Sequence, residues 1–166
     1  MNPTRESVDL FRRFLDIMRA LFEEKADYVL IGSFAVILHG LSRLTVDIDI
    51  FIKPEAGNLE RLKKALRRVF PSDDEIDSLT LDDLRDYAVV RFGTEDDFYI
   101  DLIAGIGEMF RYEDMEWEVR EVEGVPVRIA TPETLFRMKK DTVRPEDKRD
   151  ARFLAELIAG KAAEKT

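Results

Sequence analysis

The chain contains no cysteine, so it has no disulfide framework, no thiolate zinc site and no cysteine nucleophile. Histidine is nearly as scarce, and the single His39 excludes His-rich metal sites. No apolar run approaches the roughly 20 residues that a membrane span needs, and the opening Met-Asn-Pro-Thr-Arg-Glu-Ser lacks the basic-then-apolar pattern of a secretory signal. These absences predict a cytoplasmic protein with no membrane partner. Positive charge is also short: 26 Lys and Arg against 35 Asp and Glu leave a net charge of −9. So acidic a surface gains little from counterion release along a nucleic-acid backbone, which makes long nucleic acid a poor first partner.

What is present suffices for a core. With 166 residues, 45% of them hydrophobic and 11 of them Phe, one domain spanning residues 1–166 is expected, with a helical C-terminal segment from about residue 131. Phe11, Phe14, Leu15, Met18, Leu21 and Phe22 recur at helical spacing and predict an amphipathic helix over 7–24. Residues 28–31 read as a short strand ending at Gly32-Ser33, with Ser33 as N-cap of a short helix over 34–38 closed by Gly40. A helix is expected over 57–70, stopped by Pro71, and another short one after Thr80. Strands over 88–92 and 98–103 form one expected hairpin across Gly93–Asp97, and 117–122 with 125–129 form a second around Glu123-Gly124. Thr131-Pro132 and Pro145 then open two final helices, the last running to about residue 159.

The strand over 46–52 carries the chemistry. Ile48, Ile50 and Ile52 alternate with Asp47, Asp49 and Phe51, so the two carboxylates leave one face with Cα atoms roughly 6.5 Å apart, a chelating distance for Mg²⁺. In Tyr99-Ile100-Asp101-Leu102-Ile103 a third carboxylate stands among apolar neighbours. Three such groups on one sheet face repel one another and call for a hard cation with oxygen ligands. The solvated side of an alternating strand explains Asp47 and Asp49 equally well when they are taken alone. Gly32-Ser33 admits close approach of a ligand to the main chain and suits a phosphate, though it also suits a plain strand-to-helix turn.

Thirteen residues, Phe34 to Val46, separate Gly32-Ser33 from Asp47-Ile48-Asp49, enough for one helix and a return. This combination resembles the signature of the DNA polymerase β-like nucleotidyltransferase superfamily. Ile31-Gly32-Ser33-Phe34-Ala35, His39-Gly40, Arg43-Leu44-Thr45 and Asp47-Ile48-Asp49 are similar to its small prokaryotic branches, the minimal-nucleotidyltransferase antitoxins and AbiEii-type abortive-infection nucleotidyltransferases. The tail, from Leu135-Phe136-Arg137-Met138-Lys139 through Arg144-Pro145, Asp147 and Asp150, is similar to their second block. The resemblance implies a mixed α/β (α+β) nucleotidyltransferase fold, a short sheet flanked by helices with the cleft on its carboxylate face. It implies that Asp47, Asp49 and Asp101 form a catalytic and metal-binding set, that Gly32 and Ser33 bind phosphate, and that Lys139 contacts the triphosphate. Arg43, on the carboxylate face by alternation, joins the nucleotide-binding candidates.

The implied reaction moves a nucleoside monophosphate from a nucleoside triphosphate, ATP foremost, to an acceptor hydroxyl with Mg²⁺ as cofactor. Asp101 is the expected aid to deprotonation. The acceptor stays open among a protein side chain, a transfer-RNA end and a small molecule, and the resemblance adds a toxin–antitoxin setting with a cognate toxin or antitoxin as partner. Two other readings compete. One is a non-catalytic, antitoxin-like binding module that keeps the fold; the other is an acidic Ca²⁺- or Mg²⁺-binding protein, which would have no use for Gly32-Ser33. Lys139 is expected on a phosphate or as a helix-end cation. Arg144, Asp147 and Asp150 remain unassigned, and His39 reads as a capping or packing residue.

Overall fold

A computed structural model describes residues 3–94, 97–106 and 110–164, with side chains from residue 10 onward. Helix α1 (Pro3–Glu23) leads into strand β1 (Tyr28–Ile31), helix α2 (Gly32–Leu38) and strand β2 (Asp47–Ile52). Helices α3 (Ala56–Val69), α4 (Glu75–Ser78) and α5 (Leu81–Asp86) follow, then strands β3 (Val90–Gly93) and β4 (Tyr99–Ile103). A small hairpin, β5 (Gly105–Ile106) with β6 (Phe110–Arg111), and a 3₁₀ turn at Tyr112–Asp114 precede β7 (Trp117–Val122) and β8 (Val125–Ala130). Helices α6 (Pro132–Lys139) and α7 (Pro145–Glu164) complete the chain. The expected loop at 93–97 falls partly outside the described residues, at Glu95 and Asp96.

The six main strands form one mixed sheet in the order β3-β4-β2-β1-β8-β7. Consecutive pairs β1–β2, β3–β4 and β7–β8 are antiparallel, whereas β2–β4 and β1–β8 run parallel. Parallel neighbours need a crossover, and α3 to α5 with β3 supply the one between β2 and β4. Ile48, Ile50 and Ile52 are fully buried, so one face of β2 is pure core and the alternation leaves Asp47 and Asp49 on the other. Helices α1 and α3 pack on each other, α6 packs on α7, and α2 touches β2, α6 and α7. Phe14 stacks on Phe34 at 4.1 Å between centroids, tying α1 to α2.

Local chemistry fixes the element ends. The Thr80 hydroxyl accepts from the Asp83 N–H while the Asp83 carboxylate accepts from the Thr80 N–H, a reciprocal cap that holds the short α5. The Thr131 hydroxyl accepts from the Thr134 N–H and Pro132 occupies the first turn of α6. Glu123 and Gly124 both have positive φ, 48° and 80°, the backbone a two-residue hairpin turn needs.

Two expectations need correction. Ser33 is no N-cap: α2 begins at Gly32, its cap is Ile31, and no side chain caps it. Phe22 is exposed, and Ile17 takes its place in the buried stripe of α1 with Phe14, Met18 and Leu21. Trp117 lies 40% exposed on an edge strand, with the Arg128 guanidinium 4.7 Å from its ring centroid.

Candidate active site

Asp47 and Asp49 project from β2 and Asp101 from β4, and the parallel ladder sets Asp49 directly beside Asp101. On its other flank Asp49 pairs in register with Ile31, the last residue of β1. The next residue, Gly32, has φ +74° and passes so close that a Cβ there would lie 2.0 Å from an Asp49 carboxylate oxygen. Its missing side chain therefore has two causes: a backbone conformation that L-residues avoid, and space taken by the carboxylate.

These groups line a cleft of about 540 Å³, whose walls include Ser33 and, from the C-terminal helices and the loop between them, Leu135, Met138, Lys139, Arg144 and Asp147. That volume lies within the range of small-molecule sites. Within it, burial, the charge and hydrogen bond of Asp101, and the charge of Asp47 push the Asp49 carboxyl up to about 7, against the opposing pull of Lys139. Among the described residues no Lys or Arg forms an ion pair with Asp49.

Asp101 differs. Arg91, opposite it on the antiparallel β3, donates Nε to Oδ1 at 2.9 Å and Nη2 to Oδ2 at 3.0 Å. The same guanidinium reaches Asp47 at 3.6 Å and lies 4.6 Å from the Tyr99 ring centroid. Both oxygens of the expected base and third metal ligand are thus engaged by a cation. Among the described residues no three acidic or imidazole groups stand ready to hold a metal ion. The structure brings the three carboxylates together: Asp47 and Asp49 present hard oxygen donors of the kind that suit Mg²⁺, while Asp101 is half of an ion pair. Sequence reading missed Arg91, although the 88–92 alternation places it opposite in face to Val90 and Phe92; the cross-strand register supplies what was lacking.

Lys139, on α6, is 7% exposed and its Nζ donates to Asp150 Oδ2 at 2.7 Å and to Asp147 Oδ1 at 3.0 Å. Asp150, on α7, is fully buried and also accepts from Arg43 at 2.7 Å on each oxygen. Arg43, expected at the nucleotide, is bonded to Asp150 and absent from the cleft lining. Lys139 is more than a helix-end cation: it faces the cleft and fastens α6 to α7. His39 is structural. Its Nε2 lies 2.9 Å from the Ala130 carbonyl oxygen, and burial, with the neighbouring Arg120, lowers its pKa, though the Ala130 bond opposes this. Arg120 also donates to the Leu38 carbonyl at 2.7 Å, closing the end of α2.

The sequence profile of a family described as "Nucleotidyl transferase AbiEii toxin, Type IV TA system" matches residues 13–152. No curated protein matches the chain. Among solved structures it resembles an antigenic nucleotidyltransferase-like protein from Paracoccidioides brasiliensis, at 18% identity and TM-score 0.56 over 90% of this chain and 77% of that one. It resembles JHP933 from Helicobacter pylori, at 21% identity and TM-score 0.52 over 94% and 68%. It also resembles ANT(2″)-Ia in complex with adenylyl-2″-tobramycin, at 14% identity and TM-score 0.52 over 97% and 93%. At these identities the likeness shows a shared nucleotidyltransferase fold. No described helix is long and apolar enough to cross a membrane.

Proposed function

The chain belongs to the AbiEii nucleotidyl transferase family, and on that premise we propose that it moves a nucleoside monophosphate from ATP to an acceptor hydroxyl, with Mg²⁺ as cofactor. A family of nucleotidyl transferase toxins of type IV toxin–antitoxin systems makes the chain a nucleotidyltransferase enzyme, and the non-catalytic reading is set aside. The observation that carries the proposal is Asp49: a largely buried carboxylate in a cleft, beside two others, with no ion-pairing cation of its own among the described residues. Burying such a group is costly unless a ligand brings the missing charge.

Asp47 and Asp49 would hold Mg²⁺, which when bound supplies charge neutralisation and polarisation at the transferred phosphoryl group. Gly32 and Ser33 line the cleft beside Asp49, where the main chain and the Ser33 hydroxyl would meet the triphosphate. Lys139 spends two of its three N–H donors on Asp147 and Asp150, which leaves one for a phosphate oxygen. Arg144 is a second cation of the cleft, and Leu135 and Met138 form an apolar wall suited to the base. The acceptor hydroxyl would give up its proton to solvent as its oxygen attacks the α-phosphorus, the bond from that phosphorus to the α,β-bridging oxygen would break, and pyrophosphate would leave. The acceptor is a protein side chain, a transfer-RNA end or a small molecule.

Incubation with Mg²⁺, cell extract and ATP labelled at either the α- or the γ-phosphorus tests this reading and sorts the acceptor classes. The α-label is expected in the acceptor fraction, the γ-label in pyrophosphate, and Asp49→Asn is expected to abolish both signals. Transfer of the γ-label, or label transfer unchanged in Asp49→Asn, would overturn it.

A further inference from the structure

Arg91 is a cation already seated where a third carboxylate ligand is expected. Asp101 is 6% exposed, whereas the Arg91 side chain is 54% exposed, so the carboxylate is fixed and the guanidinium has a path to solvent. The two parallel bonds to Asp101 are a planar guanidinium–carboxylate match that a point charge cannot reproduce. The contact with Asp47 and the stacking on Tyr99 fix the guanidinium over the mouth of the carboxylate pair. A divalent ion ligated by Asp101 would have to displace this guanidinium or sit against it at the cost of like-charge repulsion.

Resting on the reading of Asp47 and Asp49 as metal ligands, we propose that Arg91 is a built-in competitor for the divalent cation. It keeps Asp101 out of the ligand set, so that the cleft holds its ion through Asp47 and Asp49 and binds it more weakly than three free carboxylates would. Arg91 thereby sets the affinity of the cleft for metal. A triphosphate entering the cleft offers Arg91 alternative anionic partners, which ties release of Asp101 to arrival of the substrate.

The test is titration of the full chain with Mn²⁺ alone, free Mn²⁺ being read by electron paramagnetic resonance. Wild type is expected to bind Mn²⁺, and Asp49→Asn to lose that binding. Arg91→Gln is expected to bind about tenfold more tightly or to take a second ion, since it removes a charge-assisted bond pair that the ion must otherwise break. Adding Asp101→Asn to Arg91→Gln is expected to cancel the gain. Arg91→Lys, which keeps the charge but loses the paired geometry, is expected to fall between, and it carries the test if Arg91→Gln fails to fold by circular dichroism. Unchanged or weaker binding in the folded Arg91 variants, with Asp49→Asn behaving as expected, overturns the competitor role alone. Absence of any Asp49-dependent Mn²⁺ binding in wild type and Arg91 variants alike overturns it together with the metal reading beneath it.

Discussion

Asp49 and Asp150 are both acidic groups drawn out of water, yet the chain treats them in opposite ways. Asp150 is enclosed by Arg43 and Lys139, each within 2.7 Å, and so is a closed charge cluster that joins the segment before β2 to α6 and α7. Asp49 has two like charges for neighbours and a glycine kept bare against it. The first arrangement carries its own counter-charge; in the second, no Lys or Arg among the described residues pairs with Asp49, and on the proposed function a bound cation would supply it. Buried acid by itself therefore identifies nothing, and the deciding feature is whether the protein supplies the counter-charge.

The comparison breaks most visibly at Asp150. Asp150→Asn leaves two cations beside a neutral amide, and breaking a buried pair in this way is expected to cost about 3–5 kcal/mol, read by urea denaturation. A cost near zero would mean that the cluster is solvated and the contrast with Asp49 is unfounded.

A side chain at Gly32 attacks the other region. Gly32→Ala meets both positive φ and the Asp49 carboxylate, and is expected to cost about 2–3 kcal/mol in thermal or chemical denaturation. Combining it with Asp49→Ala is expected to recover part of that cost, because the clash disappears while the backbone strain stays. No recovery would assign the whole effect to φ.

Much of this contrast is legible in the sequence only on the side where periodicity carries it. Asp47-Ile48-Asp49-Ile50 declares its two faces by alternation, and Thr80, Thr131-Pro132 and Glu123-Gly124 mark their caps and turn through interactions within three residues. Arg91–Asp101 depends on the register of a hairpin, and Arg43–Asp150 spans 107 positions, so neither pair can be inferred from local pattern. The same limit explains Phe22: an apolar residue at core spacing is buried only if a second element covers it. Register also decides what stands beside the acidic triad, since the spacing showed three carboxylates and only the fold showed the arginine on one of them.

A smaller, opposite effect is expected from Asp49→Asn. Burial, with the charges of Asp101 and Asp47, pushes the Asp49 carboxyl up from an ordinary 3.8 to about 7. Between those values the folded chain holds a proton that the unfolded chain has released, so stability falls as pH rises from about 4 to about 7 and stays lower above it. Asp49→Asn is therefore expected to be more stable than wild type by about 1–2 kcal/mol at pH 8 in chelator, and not at pH 4. Thermal denaturation at the two pH values checks this, and Mg²⁺ should narrow the gap at pH 8 by stabilising wild type alone. A variant that unfolds more readily than wild type at pH 8 would make Asp49 a structural residue like Asp150.

The most direct measurement is calorimetric titration of ATP into wild type and Asp49→Asn, each with Mg²⁺ and each with a chelator. Wild type is expected to bind ATP with Mg²⁺ and to lose that binding in chelator, while Asp49→Asn is expected to bind weakly in both conditions. Equal ATP affinity in wild type with and without the metal would contradict the proposal that Asp49, with Asp47 beside it, holds a cation against the triphosphate.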